Sequence, residues 1–293
     1  MKIFIAGGTG FVGGHVVRAL LERGHQLTLL VHRRGRKQAG VEQVEGDITS
    51  PESFAGAVAG CDALINLVGI IREFPGRGIS FERLHVQATA NMVAAAVDAG
   101  VPRYLQMSAL GTRPEAVSQY HRTKFLAEET VRASGLAWTI FRPSLIYGPQ
   151  DAFVNMLADQ LRLSPVFPVI GNGRYRLQPI HADDVARCFA LALEMPETAG
   201  GCYELCGSDR LTFVELLDAV AAAMGRKAPL KPLMPLPLIR PLVRLLQRLP
   251  GFPITLDQLQ MLLEESICDG GWREQFGVPP RDFRRSIGEY LRG

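Results

Sequence analysis

The run Ile3-Phe4-Ile5-Ala6-Gly7-Gly8-Thr9-Gly10-Phe11-Val12-Gly13 constrains this chain more than any other stretch. A short apolar segment of strand type passes into a glycine turn, and the turn into a helix whose Val12, Val16, Val17 and Leu20 share one face. Glycines there permit a tight bend with positive φ, let backbone N–H groups approach an anion, and let the helix pack closely on the strand. The helix N-terminus adds unpaired N–H groups and a partial positive charge. Strand, turn and helix in this order predict a phosphate cradle at the end of the first strand of a parallel sheet.

The chain that follows keeps the same rhythm. To about residue 145, short apolar strands (26–31, 41–46, 63–67, 103–107, 138–142) alternate with helical segments, the pattern of a sheet covered on both faces. The expected fold class is α/β, a doubly wound parallel (Rossmann) sheet with a smaller, mostly helical C-terminal region. Residues 1–148, with 176–205 returning to them, are expected to form the dinucleotide-binding domain; 149–175 and 206–293 form a substrate or partner region. Ser50-Pro51 reads as the start of a helix to Ala59, and Phe81–Ala99 as a helix stopped by Gly100 and Pro102. Asp183 reads as the cap of a helix to Met195, and Thr212-Phe213-Val214-Glu215 as a capping box.

The second strand ends in His32-Arg33-Arg34. Dinucleotide sites place an acid after this strand when the adenosine ribose is unmodified, whereas arginines there pair with a 2′-phosphate. With bases in place of the acid, NADP(H) is favoured over NAD(H).

Tyr120 and Lys124 lie one turn apart on a helix that Ser118 can cap. A tyrosine titrates near 10 when unperturbed, roughly three units from neutrality. A neighbouring ammonium favours the phenolate and makes the pair a proton donor or acceptor at working pH. Ser108, at the end of the fifth strand, can donate to a substrate oxygen on which charge develops.

A net charge of +3 lacks the basic excess of a nucleic-acid binder. Five scattered cysteines do not form a disulfide framework, and Cys202 and Cys206 read as buried thiols in a reducing compartment. No metal site is expected, because His181, Asp183 and Asp184 are explained by helix capping and a neutral histidine. The first strand begins at Lys2, so a signal peptide is not expected, and no apolar run of about 18 residues is present. A cytoplasmic location follows, with peripheral attachment to the inner face of a membrane as its variant.

The glycine run, the Tyr120/Lys124 pair, Arg142-Pro143-Ser144-Leu145-Ile146-Tyr147-Gly148-Pro149 and Pro179-Ile180-His181-Ala182-Asp183-Asp184-Val185-Ala186 together resemble the extended or atypical short-chain dehydrogenase/reductases, of the NAD-dependent epimerase/dehydratase type. Within them the chain is most similar to the branch that contains the NADPH-binding accessory subunit of respiratory complex I. The resemblance implies that Gly7, Gly10 and Gly13 hold a pyrophosphate, that Arg33 and Arg34 meet the 2′-phosphate, that Asp47 binds the adenine amino group with Ile48 beside the ring, and that Pro143 lies against the nicotinamide. Thr9, Phe11, Val12, His32, Leu67, Val68 and Gly69 complete the implied cofactor contacts. Ser108, Tyr120 and Lys124 match the catalytic serine, tyrosine and lysine, with Lys124 also on the nicotinamide ribose. His85 stands where many extended members place an asparagine that anchors a relay water, and Leu67-Val68-Gly69 replaces an alanine-rich pattern.

Residues 226–256 hold six Lys or Arg, seven prolines and no acid. Leu238, Ile239, Leu242, Val243, Leu245, Leu246 and Leu249 form an apolar band, while Arg240, Arg244 and Arg248 recur every four residues. This segment suits a lid over a small or lipid-like substrate, and equally a membrane-surface or protein contact through 236–249. Two functions follow: an oxidoreductase or epimerase acting on a carbonyl or carbinol, or a non-catalytic NADPH-binding accessory or assembly subunit of a membrane complex.

Overall fold

A computed structural model describes the whole chain except residues 34, 36–38, 248–251, 253 and 293. The chain divides into two compact units: 1–143 with 183–205 and 271–278, and 144–182 with 206–270 and 279–293. Residues 176–182, expected with the nucleotide domain, pack in the second unit, and 271–278 pack in the first.

The first unit is built on seven parallel strands: β1 (Lys2–Ala6), β2 (Gln26–Val31), β3 (Val41–Glu45), β4 (Ala63–Asn66), β5 (Arg103–Met107), β6 (Ala137–Pro143) and β7 (Gly201–Leu205). Their order across the sheet is β7-β6-β5-β4-β1-β2-β3. This is the doubly wound arrangement expected from the sequence, and its order reverses between β1 and β4, where such sheets hold their ligands. The central strand β1 explains its own sequence. It is hydrogen-bonded on both edges and covered on both faces, so Ile3, Phe4, Ile5 and Ala6 are all buried and no polar alternation survives. Phe4 stacks on Phe54 and joins Leu64, Tyr104, Met92 and Ile140 in one core cluster. Each such side chain is worth about 1.5–3 kcal/mol of burial.

The helices are α1 (Phe11–Leu21), α2 (Ala88–Asp98), α3 (Gln119–Arg132), α4 (Ala152–Leu163), α5 (Ala182–Glu194), α6 (Phe213–Ala223), α7 (Leu236–Leu246), α8 (Leu256–Leu263), α9 (Trp272–Phe276) and α10 (Phe283–Leu291). Ser118 caps α3, its hydroxyl accepting from the His121 N–H at 3.1 Å, and the Thr212/Glu215 capping box of α6 is present.

Several local expectations are corrected. The helix at 51–59 breaks into a 3₁₀ turn (Pro51–Ser53) and one short helical turn (Ala55–Val58), and Ser50 does not cap it. The Ser53 hydroxyl, donating to the Ser50 carbonyl at 2.7 Å, folds the turn tightly instead. The helix at 81–99 opens as a π-helix over Glu82–Gln87, with the Ala88 N–H donating to the Arg83 carbonyl five residues back. Asp183 lies inside the first turn of α5 and does not cap it. Its carboxylate meets His15 and Arg18 of α1, each at 2.5 Å.

A buried ion pair ties α3 to the sheet. Glu128 is fully buried and takes both arms of the Arg142 guanidinium, at 2.8 and 2.6 Å, with Arg132 at 3.0 Å. Removing the acid would leave two cations facing a void, a loss moderated because both arginines are partly exposed. Glu128→Ala is therefore expected to cost about 2 kcal/mol, read as a lowered midpoint in chemical denaturation.

In the second unit, Tyr147, Leu157, Phe213, Leu217 and Phe283 form the core, and Asp151 caps α4 by accepting from the Val154 N–H at 2.6 Å. Cys206 and Cys268 form a disulfide across 62 residues of sequence, with Cα atoms 6.0 Å apart. The reading of Cys206 as a thiol is thus overturned, and Cys202 is exposed, not buried. Gln178 positions the bridge: its side-chain amide donates to the Gly207 carbonyl at 2.7 Å and accepts from the Cys268 N–H at 3.1 Å. No spacing in the sequence announces a pair so far apart. Among the described residues no helix is long and apolar enough to cross a membrane, and no cluster of His, Cys, Asp and Glu could hold a metal ion.

Candidate functional site

All of the site residues expected from the sequence that are described lie in the first unit. Gly7 follows β1 with φ +81°, in the left-handed region that favours glycine. A Cβ on it would sit 2.9 Å from the Leu67 carbonyl carbon and 3.0 Å from the Val68 nitrogen, so the ends of β1 and β4 approach this closely only because residue 7 has no side chain. A Cβ on Gly13 would overlap the Gly7 carbonyl oxygen and lie 2.7 Å from the Gly8 carbonyl carbon. The Gly10 N–H donates to the Gly7 carbonyl at 3.1 Å, closing the turn. Gly10 is the N-cap of α1, and no side chain caps that end. The first-turn N–H groups are therefore left for an anion by a cap that has no side chain to offer. Thr9 and Gly10 are exposed beside them, with Phe11 and Val12 half-buried. The turn thus fits the pyrophosphate of a dinucleotide.

Beside it, β2 ends in His32 and Arg33, both exposed; Arg34 lies outside the described residues. Asp47 is held ready-made, its Oδ1 accepting from the Thr49 N–H at 2.8 Å and the Thr49 hydroxyl at 2.9 Å. The Thr49 N–H above all, together with the charges of His32 and Arg83, holds the Asp47 carboxyl below the usual range. Ile48 is buried, its carbonyl accepting from Asn91. Arg83, which the sequence reading missed, reaches Thr49 Oγ1 at 3.1 Å and the Gly78 carbonyl at 2.9 Å. Its only signal in the sequence is its place two residues before His85.

The third cluster gathers at the ends of β4 and β5. Lys124 is buried, and its Nζ donates to the Val68 and Met107 carbonyls, each at 3.2 Å, clamping the two strand ends together. A Cβ on Gly69 would fall 2.9 Å from that Nζ, so a side chain here would push the amine aside. Burial pulls the Lys124 amine down to about 8, with Glu128 one turn along opposing the shift. Ser108 directly follows Met107; its N–H donates to the Phe141 carbonyl at 2.7 Å, and its buried hydroxyl lies 3.4 Å from that of Thr112. Pro143 ends β6, its carbonyl accepting from the Leu110 N–H.

Tyr120, one turn before Lys124, is half-buried and rests its ring edge-on against His85, with centroids 5.3 Å apart, and against Phe81 at 5.9 Å. His85 stands on the π-helix and is buried. Its Nε2 accepts from the Ile70 N–H at 3.2 Å, which places its proton on Nδ1, 2.9 Å from Thr123 Oγ1. Thr123 in turn donates to the Gln119 carbonyl at 2.9 Å. The Tyr120 carbonyl, at 3.1 Å, is a second acceptor for the same hydroxyl, and the Ile70 N–H at Nε2 fixes the tautomer. Burial, then the charge of Lys124, pulls His85 down to about 2, so the imidazole stays neutral. His85 fastens the 67–70 loop to α3, and the π-turn that places it is a feature frequent at functional sites.

His15 and Asp183, 168 residues apart, were also beyond sequence reasoning as a pair. His15 also packs edge-on against Phe11 at 5.4 Å, so this contact steadies the first turn of α1.

The family model of the NAD dependent epimerase/dehydratase family matches residues 3–206. The ceramide reductase of Caulobacter vibrioides is 32% identical over 231 residues, covering 77% of this chain and 71% of that protein. NADH dehydrogenase (ubiquinone) 1 alpha subcomplex subunit 9 of Dictyostelium discoideum is 29% identical over 225 residues, 74% of this chain. The match spans 62% of that relative's length. Among solved structures, a dTDP-glucose 4,6-dehydratase from Streptomyces venezuelae with NAD bound has a TM-score of 0.75 at 23% identity, covering 99% of this chain and 96% of that one, a likeness of fold.

Proposed function

The chain belongs to the NAD dependent epimerase/dehydratase family, and from that premise we propose that it is an NADP(H)-dependent oxidoreductase acting on the carbonyl or carbinol carbon of a lipid-like substrate. The observation that carries this reading is Tyr120 one turn before a buried Lys124 on α3, where burial pulls the amine down to about 8. A bound nicotinamide dinucleotide supplies or accepts the hydride. Tyr120 gives its phenolic proton to the oxygen of a carbonyl being reduced, or takes it from a carbinol being oxidised. Lys124 as an ammonium favours the phenolate that remains, and Ser108 donates to the same substrate oxygen. Gly7, Thr9, Gly10, Phe11, Val12 and Gly13 hold the pyrophosphate, Asp47 and Ile48 the adenine, and Leu67, Val68, Gly69 and Pro143 the nicotinamide side. A lipid-like substrate is supported by the relative named a ceramide reductase.

For the reduction, both Tyr120 and Lys124 must carry their protons. The rate is therefore expected to fall as pH rises through about 8, where Lys124 loses its charge. His85, neutral down to about 2, contributes no limb near the ordinary histidine value. A pH profile of kcat/KM for carbonyl reduction checks this; a flat profile from pH 7 to about 10 would contradict it.

NADP(H) over NAD(H) rests on His32 and Arg33, which follow β2, and on Arg34 next to them in the sequence. A charge-assisted contact to phosphate is worth about 1.5–3 kcal/mol. Arg33→Ala is accordingly expected to weaken NADPH binding on the order of tenfold while leaving NADH binding unchanged, read by fluorescence titration.

A second reading is favoured by His85 in place of a relay asparagine and by the relative named as a subunit of NADH dehydrogenase. In it the nucleotide is held by the same residues and does not turn over, and the chain serves as an accessory or assembly subunit.

A further inference from the structure

We infer that the second unit docks on an anionic lipid bilayer through the outward face of α7. This helix buries Ile239 and Val243, four residues apart, against Leu259 of α8 and against Met234, Leu236 and Leu263. The opposite side of a docked surface helix is ordinarily polar. Here the flank about 110° round the helix from the buried row carries Leu238, Leu242 and Leu245, which are 69%, 45% and 76% exposed and follow the i, i+4, i+7 spacing of a single stripe. Pro237 and Pro241, also exposed, continue that face. Arg240 and Arg244, exposed and four residues apart, form the far flank of that outward side, with the two prolines between them and the leucines. The apolar surface extends along the chain to Leu230 and Leu233, 69% and 59% exposed, on the segment paired with Val166 and Val169.

Charge selects the occupant. From 226 to 256 the sequence has six bases and no acid; Arg248 lies outside the described residues and Lys231 pairs with Asp218 at 2.6 Å, so the outward charge of α7 rests on Arg240 and Arg244. An outward side with an apolar flank and a single-signed basic flank complements a surface that is uniformly anionic above and apolar beneath. A second copy, meeting this face through a two-fold axis, would bring the same arginines against one another. An 11-residue helix is about 16 Å long, roughly half the hydrocarbon thickness, so α7 lies in the plane of the interface. Pro241 reinforces this depth, since it supplies no N–H to the Pro237 carbonyl and that polar group resists entry into hydrocarbon. The leucines enter the headgroup boundary and the arginines stay at the phosphates.

The full-length protein is mixed with vesicles of phosphatidylcholine alone and of phosphatidylcholine with phosphatidylglycerol, and bound protein is separated by flotation. Binding is expected to the anionic vesicles and to weaken with added salt. Each basic residue at such a surface contributes about fivefold in affinity, so Arg240→Gln with Arg244→Gln should weaken binding on the order of 25-fold. Leu238→Ser with Leu242→Ser and Leu245→Ser should weaken it by more than about 100-fold. The chemical-denaturation midpoint of each variant is expected to stay near the wild-type value, which certifies folding independently of the lipid readout. Equal binding to the two vesicle types, or unchanged binding by the arginine variant, overturns the proposal. So does a concentration-dependent dimer in sedimentation velocity that the leucine variant abolishes, which would assign the face to a second copy.

Discussion

Tyr120→Phe is expected to lower kcat/KM for carbonyl reduction by at least about 100-fold while leaving NADPH affinity within about twofold of wild type. The substitution removes only the phenolic oxygen. The ring keeps its edge-on packing against His85 and Phe81, so neither the π-helix nor the cap of α3 has reason to shift. What disappears is the proton that must reach the substrate oxygen as hydride arrives at carbon, and neither Lys124 nor His85 is placed to substitute. Lys124 points its amine at two backbone carbonyls, and His85 has its Nε2 committed to the Ile70 N–H. Turnover within about tenfold of wild type would remove the proton-transfer role.

Gly13→Ala is expected to reduce NADPH affinity on the order of 100-fold. The new methyl group overlaps the Gly7 carbonyl and approaches the Gly8 backbone at 2.7 Å, and those are main-chain atoms that cannot rotate away. Relief requires α1 to move off β1, which withdraws the helix N-terminus from the pyrophosphate. Overpacking of this kind costs about 3 kcal/mol, which corresponds to roughly a hundredfold in a dissociation constant. Gly14→Ala on the same helix is the control, because a Cβ there meets nothing within 4 Å. Titration of nucleotide fluorescence on both variants separates steric closure of the turn from a general effect on α1.

These expectations differ in how much of them the sequence carried. The glycine turn was legible because its function and its geometry require the same residue type: a helix that must touch a strand excludes any Cβ at residue 13, and the absence of a side chain is visible in one dimension. The strand β1 and the helix α3 were legible for a related reason, since burial on two faces and on one face leave distinct periodicities. What stayed hidden depends on partners distant in the chain. Neither the Cys206–Cys268 bridge nor the His15–Asp183 contact has a local signature. Asp183 read as a helix cap because the sequence shows only its neighbours, and His15 and Arg18, far away in the chain, compete for it. His85 was visible as a departure from the family pattern, but its fixed tautomer needs Ile70 and Thr123 on either side of the ring. The π-turn that carries it is one more residue per turn than an α-helix allows, a change that periodicity over six residues does not resolve.

In the proposed function the dinucleotide held by Gly7–Gly13 reacts. The most direct test follows the hydride itself: the protein is incubated with NADPH deuterated at the transferred position of the nicotinamide and with alkyl-chain ketones, among them a keto analogue of ceramide. The account predicts deuterium in the alcohol product from wild-type protein and at least about 100-fold less of it from Tyr120→Phe over the same interval. Deuterium that stays on a tightly bound nucleotide, with no labelled alcohol from any ketone offered, would contradict it and leave the accessory role.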